Sequence, residues 1–470
     1  MKEREKVVTR IESLAFEGKG IARVGGKVAF VRYAVPGDLV EIEITKDKKS
    51  FAEGKIVRII EPSAIRIAPR CNHFGICGGC SFQNIPYEKQ LEWKRKFVTD
   101  AFEKIAKVED VEIKQALPSP LVYGYRNKME FSFASSRWLS EEEIHSGDAI
   151  PNKGKHFALG FHIPDRFDKV VNINACHLQD ERGNEIINNI RRKALEIEVP
   201  AYNLRNHKGF LRNVIVRYSF TNGEVLVNLV TTSQIGEIEQ RFLEWFRVYF
   251  AESQFVHHLV HTTNDSYSPT PMGNTEIIKG TGYLFEEVGD VVFRISPFSF
   301  FQVNTLQANN LIKKTLEFAS FEDKIVWDLY SGAGTFSLSL AKYARMVVGV
   351  ESVPSAVEDA RYNAELNKID NVIFVIKDLH KKKILEELTE LPKPDVVVVD
   401  PPRTGIHKNL LNALLEIRPE RIVYVSCNPA TQARDCCELS SLYKIVEVQP
   451  IDMFPHTYHI ESVALLVKKR

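Results

Sequence analysis

The sequence has 470 residues, of which 44% are hydrophobic and 26% are charged, and its formal net charge at pH 7 is +1. It contains no uninterrupted apolar run long enough to span a bilayer, and the charged start MKEREKVVTR lacks the apolar core of a secretory signal. These features exclude a membrane protein and a strongly basic or acidic chain. We therefore expect a cytoplasmic globular protein of several domains.

Residues 1–64 form the first predicted domain. Short β-branched segments such as GIARVGGKVAFVRY and FAEGKIVRII are separated by Gly-Gly, Pro-Gly and lysine-rich turns. About five antiparallel strands predict a small OB-like barrel, although an SH3-like barrel fits the same pattern. Residues 1–70 carry 15 Lys/Arg and 10 Asp/Glu, a surplus that fits either a basic face or ordinary solvated loops.

The segment CNHFGICGGC follows the barrel and contains Cys71, Cys77 and Cys80 in a C-x5-C-x2-C spacing. Cys176 in VVNINACHLQ offers a fourth thiol. Four cysteines suit a tetrahedral zinc ion or a [4Fe–4S] cluster, and the spacing alone would put zinc first. The total of seven cysteines is odd, which disfavours a disulfide framework in a cytoplasmic chain.

Residues 65–290 form the second predicted domain, a β-rich unit that carries the cysteines. Strand-like segments such as YRNKMEFSFA and EVLVNLVTT occur together with one predicted helix near 235–250. Another helix is predicted near 87–107, and it can pack on the C-terminal domain. The segment 203–220 contains Lys and Arg but no acidic residue, so it is a candidate basic surface.

Residues 291–470 form the third predicted domain, in which strands and helices alternate. KIVWDLY, RMVVGVE, NVIFVIKD, DVVVVD and RIVYVSC are nearly continuous apolar runs, as expected of strands buried on both faces of a parallel sheet. The pattern predicts an α/β domain with a mostly parallel, doubly wound sheet of the Rossmann type. Its ligands should lie beyond the carboxyl ends of the strands.

Polar residues follow these strand ends. Gly332 and Gly334 form a turn after the first strand, but the G-x-G-x-x-G fingerprint of dinucleotide sites is incomplete. Glu351 ends the second strand, where a carboxylate suits two ribose hydroxyls. Asp378 follows the third strand, where it can accept a hydrogen bond from an exocyclic amine. A nucleoside held without a pyrophosphate points to S-adenosylmethionine.

The next two strands end in DPPRTG and SCNPAT, which place Asp400 and Cys427 at the same edge. Arg403 stands where amino-methyltransferases carry an aromatic residue, which disfavours amine methylation. A lone cysteine is usually a small buried side chain. Here a thiolate can add to C6 of uracil and make C5 nucleophilic, and Glu461 in DMFPHTYHIESV can then remove the C5 proton. Methylation of uracil C5 is favoured over that of cytosine C5.

The motifs FFQVN, DPPRTG, SCNPAT and DMFPHTYHIES occur in order, and the sequence resembles the S-adenosylmethionine-dependent RNA 5-methyluridine methyltransferases over essentially its whole length. The resemblance implies that Cys427 is the nucleophile and Glu461 the base. Thr335 and Asp378 stand where the family often carries Asn, and both can still form hydrogen bonds. The cofactor contacts expected in this reading are Gln302, Tyr330, Gly332, Thr335, Glu351, Asp378 and Asp400.

The N-terminal barrel resembles the TRAM RNA-binding module of the ribosomal-RNA members of this family. The resemblance therefore implies 23S ribosomal RNA as the favoured substrate, with transfer RNA as the alternative and no obligate protein partner. Phe300 is a candidate to stack on the uracil, and Arg126 and Lys128 in GYRNKMEF are candidates for RNA contacts. For the four cysteines the family implies a [4Fe–4S] cluster, with zinc as the alternative.

A hypothesis from another class is a non-catalytic iron–sulfur or RNA-binding protein that retains a dead methyltransferase fold. The presence of both Cys427 and Glu461 argues against it. The sequence leaves the modified uridine and the oligomeric state open.

Overall fold

The computed structural model describes residues 5–108, 110–139, 143–144, 156–268, 270–320 and 322–470. These residues contain three large β-sheets, one hairpin and helices that pack on the second and third sheets. None of the helices in the described ranges is long and apolar enough to cross a membrane.

The first sheet is a small barrel with the core residues Ile11, Ala22, Val31, Val40 and Ile42. Its strands are β1 (Lys6–Arg10), β2 (Ser13–Leu14), β3 (Gly20–Val24), β4 (Lys27–Val31), β5 (Leu39–Asp47) and β6 (Phe51–Glu61). Their order is β1-β5-β6-β4-β3-β2, and β4 pairs with β6 in parallel. The barrel thus has six strands with one parallel pair, instead of about five antiparallel strands. A period-2 pattern shows which faces are buried and not which strands are neighbours.

A helix connects this barrel to the C-terminal sheet. Helix α1 (Tyr87–Ala101) continues as a π-helical turn over Phe102–Ala106, and the short strand β7 (Glu112–Ile113) follows it. Val98 and Phe102 belong to the same hydrophobic cluster as Leu439 of the C-terminal domain. The apolar face of α1 is therefore buried against that domain, although α1 precedes the central sheet in the chain.

The central sheet has the strand order β10-β9-β8-β11-β12-β13-β14. Its elements are β8 (Lys128–Ala134), β9 (Ala158–His162), β10 (Val170–Asn172), α2 (Glu181–Ile197), β11 (Leu211–Tyr218), β12 (Val225–Thr231), α3 (Glu237–Ala251), β13 (His258–Thr263) and β14 (Asn274–Lys279). Helices α2 and α3 cover one face through residues such as Ile190 and Phe246. Buried Arg217 on β11 donates hydrogen bonds to the carbonyls of Pro297 and Ser299. The central sheet therefore holds the loop that carries Phe300.

A hairpin of β15 (Leu284–Val288) and β16 (Val291–Ile295) leads into the C-terminal domain. The elements of this domain are α4 (Thr305–Ala319), β17 (Ile325–Leu329), α5 (Thr335–Ala341), β18 (Met346–Glu351), α6 (Pro354–Leu366), β19 (Val372–Ile376), α7 (Ile384–Thr389), β20 (Val396–Val399), α8 (Lys408–Ile417), β21 (Arg421–Ser426), α9 (Pro429–Leu439), β22 (Tyr443–Ile451) and β23 (Glu461–Lys468).

The C-terminal sheet has the order β19-β18-β17-β20-β21-β23-β22-β7. Its first five strands are parallel, and β23 lies antiparallel between β21 and β22. Two hydrophobic clusters cover its two faces, which confirms the doubly wound α/β prediction. The carboxyl ends of β17 to β21 meet at one edge, and the antiparallel β23 brings its first residue, Glu461, to the same edge.

Candidate active site

The turn after β17 combines left-handed backbone with an acidic side chain. Tyr330 has φ +65°, and Gly332 has φ +53° with open space where a Cβ would stand. The Glu351 carboxylate at the end of β18 accepts hydrogen bonds from the amides of Gly332 (3.0 Å) and Val353 (2.9 Å). These bonds fix the carboxylate beside the turn and leave the space above Gly332 free for a ligand.

A cavity of about 1130 Å³ opens at this edge of the sheet. It brings together every predicted cofactor residue, both predicted catalytic residues and two of the three predicted RNA contacts. The lining includes Gln302, Tyr330, Gly332, Thr335, Glu351, Asp378, Asp400, Cys427, Glu461, Phe300 and Arg126. Lys128 is not among the lining residues. Its ammonium lies 3.9 Å from Glu130, and burial together with the Arg217 charge lowers the pKa of Lys128 to about 8.

Cys427 lies between β21 and α9, where Asn428 caps the helix through its bond from the amide of Ala430. Burial raises the pKa of the Cys427 thiol to about 11, and the charges of Glu461 and Asp400 act in the same direction. Arg403 opposes this rise through its charge and a hydrogen bond to the sulfur. Arg403 is therefore the group that stabilises the thiolate form of Cys427.

Burial raises the pKa of two carboxyl groups of the cavity, those of Glu461 and Asp400. Burial raises the pKa of Glu461 well above its usual range, and the Asp400 charge adds to the rise while Arg403 opposes it. Burial, with a contribution from Asp328, raises the pKa of Asp400 to about 7. A carboxylate with a raised pKa is a stronger base than one in water, which suits Glu461 for proton removal from carbon.

The loop that leads to Glu461 is held by residues that sequence reasoning missed. Buried Lys94 on α1 donates to the Asp452 carboxylate (2.6 Å) and to the carbonyl of Phe454 (3.0 Å). Buried Gln90, one turn earlier, accepts a bond from the amide of His456 (2.9 Å). The sequence signal that could have revealed them is the i, i+4 spacing of Gln90 and Lys94 on the face of α1 that also carries Phe97 and Val98.

Known proteins resemble this chain over the regions that build the cavity. A family model described as tRNA (uracil-5-)-methyltransferase matches residues 216–469, and a TRAM domain model matches residues 2–57. The chain belongs to the uracil-5-methyltransferase family. RNA methyltransferases of Bacteroides thetaiotaomicron and Porphyromonas gingivalis are 42% and 40% identical to it, over 96% and 97% of this chain and 99% of each relative.

A solved structure extends the similarity to the whole methyltransferase. The tRNA (uracil-54, C5)-methyltransferase of Pyrococcus abyssi, crystallised with S-adenosyl-L-homocysteine, is 30% identical with a TM-score of 0.74. The match covers 98% of this chain and 100% of that one. The protein is an S-adenosylmethionine-dependent RNA uracil-5-methyltransferase with an N-terminal TRAM domain, as the sequence predicted.

The predicted metal ligands of the methyltransferase line a second cavity. Cys71, Cys77, Cys80 and Cys176 surround about 440 Å³. Burial raises the pKa of Cys77 and of Cys80 to about 12. Across the described ranges, no group of three or more His, Cys, Asp or Glu side chains is arranged to hold a metal ion. The structure therefore gives no support to the predicted metal centre beyond placing the four thiols around one cavity.

Proposed function

We propose that the protein methylates C5 of a specific uridine in RNA, with 23S ribosomal RNA as the substrate, Cys427 as the nucleophile and Glu461 as the base. The observation that carries this proposal is the single cavity that holds Cys427, Glu461 and Asp400 together with the residues at the ends of β17 to β19. The division into residues 1–64, 65–290 and 291–470 is part of the proposal.

S-adenosylmethionine supplies an electrophilic methyl group when it is bound. The residues present fit it, because Gly332 leaves room for a nucleoside and Oε2 of the Glu351 carboxylate, which accepts a bond from the Gly332 amide, has a second lone pair for a ribose hydroxyl. Asp378 accepts a bond from the amide of His380 (3.0 Å), which directs its carboxylate at the cavity rim. The set proposed to hold the cofactor is Gln302, Tyr330, Gly332, Thr335, Glu351, Asp378 and Asp400.

Cys427 begins the reaction on the uracil ring. Its thiolate, stabilised by Arg403, forms a bond to C6, and the electron pair of the C5–C6 double bond moves to the C4 carbonyl oxygen as an enolate. With the cofactor bound, the enolate would return this pair through C5 to the methyl carbon, while the bond from that carbon to the sulfonium sulfur would break and leave its electron pair on the sulfur. Glu461 then takes the C5 proton, the C–H electron pair restores the C5–C6 double bond, and the thiolate of Cys427 leaves.

A uridine must leave its stack to reach Cys427, which costs a few kcal/mol. Phe300 is 78% exposed at the cavity, on the loop held by Arg217, and we assign it to stacking on the extruded base. Arg126 lines the cavity and is assigned to RNA contact. Lys128 lies outside the cavity, near the charges of Glu130 and Arg217, and its assignment to RNA contact stays a prediction.

Transfer RNA is the second candidate substrate. The barrel had favoured 23S ribosomal RNA, but the Pyrococcus abyssi relative is named for transfer RNA and matches essentially this whole chain. The test is tritium release from uracil C5 in transcripts of each RNA. We expect release from 23S RNA by the wild type and none by Cys427→Ala. Release from transfer RNA alone would move the substrate to that class, and no release from either would contradict the proposal.

We also propose that the four cysteines hold a [4Fe–4S] cluster. Four thiols are the usual ligands of such a cluster, and the amides of His73 and Gly79 lie 3.4 Å from the sulfurs of Cys71 and Cys77, where hydrogen bonds stabilise cluster thiolates. Protein purified without oxygen should contain about four iron and four sulfide per chain and absorb visible light. Stoichiometric zinc without sulfide would establish the zinc alternative, and metal-free protein would contradict both.

A further inference from the structure

Three loops of the central domain carry exposed aromatic and basic side chains outside the catalytic cavity. They span residues 163–169, 203–208 and 264–272, of which 269 lies outside the described ranges. Tyr267 is 74% exposed and Phe167 is 65% exposed. Among the aromatic side chains in the described ranges, only Phe300 in the catalytic cavity is more exposed.

Contacts between the loops join these side chains into one surface. The ring of Tyr267 lies 4.4 Å from the ring of His207, centroid to centroid. The guanidinium of Arg205 lies 5.9 Å from the ring of Phe167, and its Nη2 atom is 2.6 Å from Asp168. We call the surface formed by Phe167, Arg205, His207, Lys208 and Tyr267 the aromatic patch.

Hydrogen bonds fix the loops that present the patch. The Asn203 side-chain oxygen accepts hydrogen bonds from the amides of Arg205 (2.8 Å) and Asn206 (3.2 Å). Arg212, which is 4% exposed, donates to the carbonyls of Asn264, Ser266 and Ser268. The chain thus uses a buried guanidinium to fix a surface loop that exposes Tyr267, which reduces the entropy lost on binding a ligand.

Two of the loops that carry the patch reach the barrel and the catalytic cavity. Asp165 of the first loop pairs with Arg32 of the barrel (2.9 Å). Met272 at the end of the third loop is 59% exposed and lines the catalytic cavity. Tyr267 is five residues from Met272, so the Cα atoms of these two residues are at most about 18 Å apart. This distance corresponds to a few nucleotides of an extended strand.

We propose that the aromatic patch binds unpaired nucleotides that flank the target uridine. Bases stack on Tyr267 and Phe167, while Arg205 and Lys208 contact phosphates. Exposed rings interleaved with cations are the usual means of holding single-stranded RNA, whereas the bases of a duplex are already stacked on one another. The inference rests on the proposed function, since it assumes an RNA substrate that reaches Cys427.

The first experiment measures binding and does not require activity. An unstructured 20-nucleotide RNA and a duplex of equal length are titrated into wild type, Tyr267→Ala, Phe167→Ala and the double variant. We expect each single change to weaken binding of the unstructured RNA about tenfold and the double change about a hundredfold, with little effect on the duplex. The matched control is Tyr343→Ala, whose 54% exposed ring precedes β18 and so lies at the opposite edge of the sheet.

The second experiment compares turnover on two substrates. On long RNA the double variant should have a raised KM with kcat unchanged. On an oligonucleotide too short to reach from Cys427 to the patch, it should equal the wild type. Arg205→Ala should make the salt dependence of single-strand binding less steep.

Different outcomes distinguish failure of the aromatic-patch proposal from failure of the proposed function. Unchanged binding by the double variant, or equal losses on duplex and unstructured RNA, would overturn the patch. Wild-type dimerisation that the double variant abolishes would instead make it a self-association surface. Absence of tritium release by the wild type, with single-strand binding still dependent on the patch, would overturn the proposed function alone.

Discussion

The two cavities of the methyltransferase share a wall but are built in different ways. Arg126, Arg403, Phe454 and His459 line both. The catalytic cavity collects residues from the ends of neighbouring strands in one sheet, so its chemistry follows from the topology. The four cysteines of the other cavity stand on loops, and the geometry of that cavity depends on packing between distant segments of the chain.

The cysteines of the two cavities also differ in the charges around their thiols. Burial raises the pKa of the thiol in both, but Cys427 has Arg403 beside its sulfur, whereas the groups that act on the pKa of Cys77 include no cation. A nucleophile needs a thiolate without a metal, and a ligand obtains its thiolate from the metal itself. The comparison indicates that the protein itself prepares Cys427 for covalent chemistry and does not prepare Cys77 in this way.

The largest expected effect is the loss of the nucleophile. Cys427→Ala should abolish methyl transfer, about a 10⁴-fold decrease or more, because no other thiol in the described ranges lines the catalytic cavity. Tritium release and the covalent protein–RNA band on denaturing gels measure it. Cys437→Ala, which changes an exposed cysteine of α9, is the control and should behave as wild type. A covalent band from Cys427→Ala would contradict the assignment.

Removal of the proposed base should block a later step of the reaction, the release of product. Glu461→Gln should form the adduct and methylate it, but should release product about 10²–10⁴-fold more slowly. The pKa of Glu461 is raised and the base acts ionised, so the wild-type release rate should increase with pH above the usual titration range of a glutamate. Single-turnover quench experiments in which the variant is mixed with RNA should show a methylated adduct that persists. Wild-type release kinetics in the variant would assign the base elsewhere.

The buried pair that holds the base loop gives the next effect. Lys94→Met leaves Asp452 charged and buried without its cation, so the free energy of unfolding should fall by about 3–5 kcal/mol. Denaturant unfolding measures this change. The double variant Lys94→Met with Asp452→Asn should recover part of the stability, because it leaves no unpaired buried charge. It should nevertheless release product more slowly than the wild type, because the loop that leads to Glu461 loses its anchor. Normal product release by the double variant would show that this pair does not position Glu461.

The smallest effect concerns the thiol itself. With a pKa of about 11, Cys427 should react with iodoacetamide at a rate that rises steadily between pH 8 and pH 11. Arg403→Gln removes the group that lowers this pKa, so the pKa should rise and the rate at pH 9 should fall by about tenfold. Mass spectrometry of the modified peptide measures the rate. An unchanged or faster reaction would show that Arg403 does not stabilise the thiolate.

Much of the catalytic cavity was predictable because its residues stand at the ends of recognisable strands. A parallel doubly wound sheet brings such ends to one edge, so Glu351, Asp400 and Cys427 could be placed together without coordinates. Lys128 shows the limit of the same reasoning. Strand alternation gives it a face of β8 but does not reveal that the charges of Arg217 and Glu130 lie near its ammonium there.

The sequence by itself determined the α/β fold and the family, and it pointed to the residues proposed to perform the chemistry, because hydrophobic periodicity and strand-end motifs are local signals. Tertiary structure alone decided the parallel pairing of β4 with β6, the pair of Lys94 with Asp452 and the joining of three loops into the aromatic patch. These features unite residues far apart in the chain. Such contacts leave no local pattern in the sequence, since folding of the whole chain creates them.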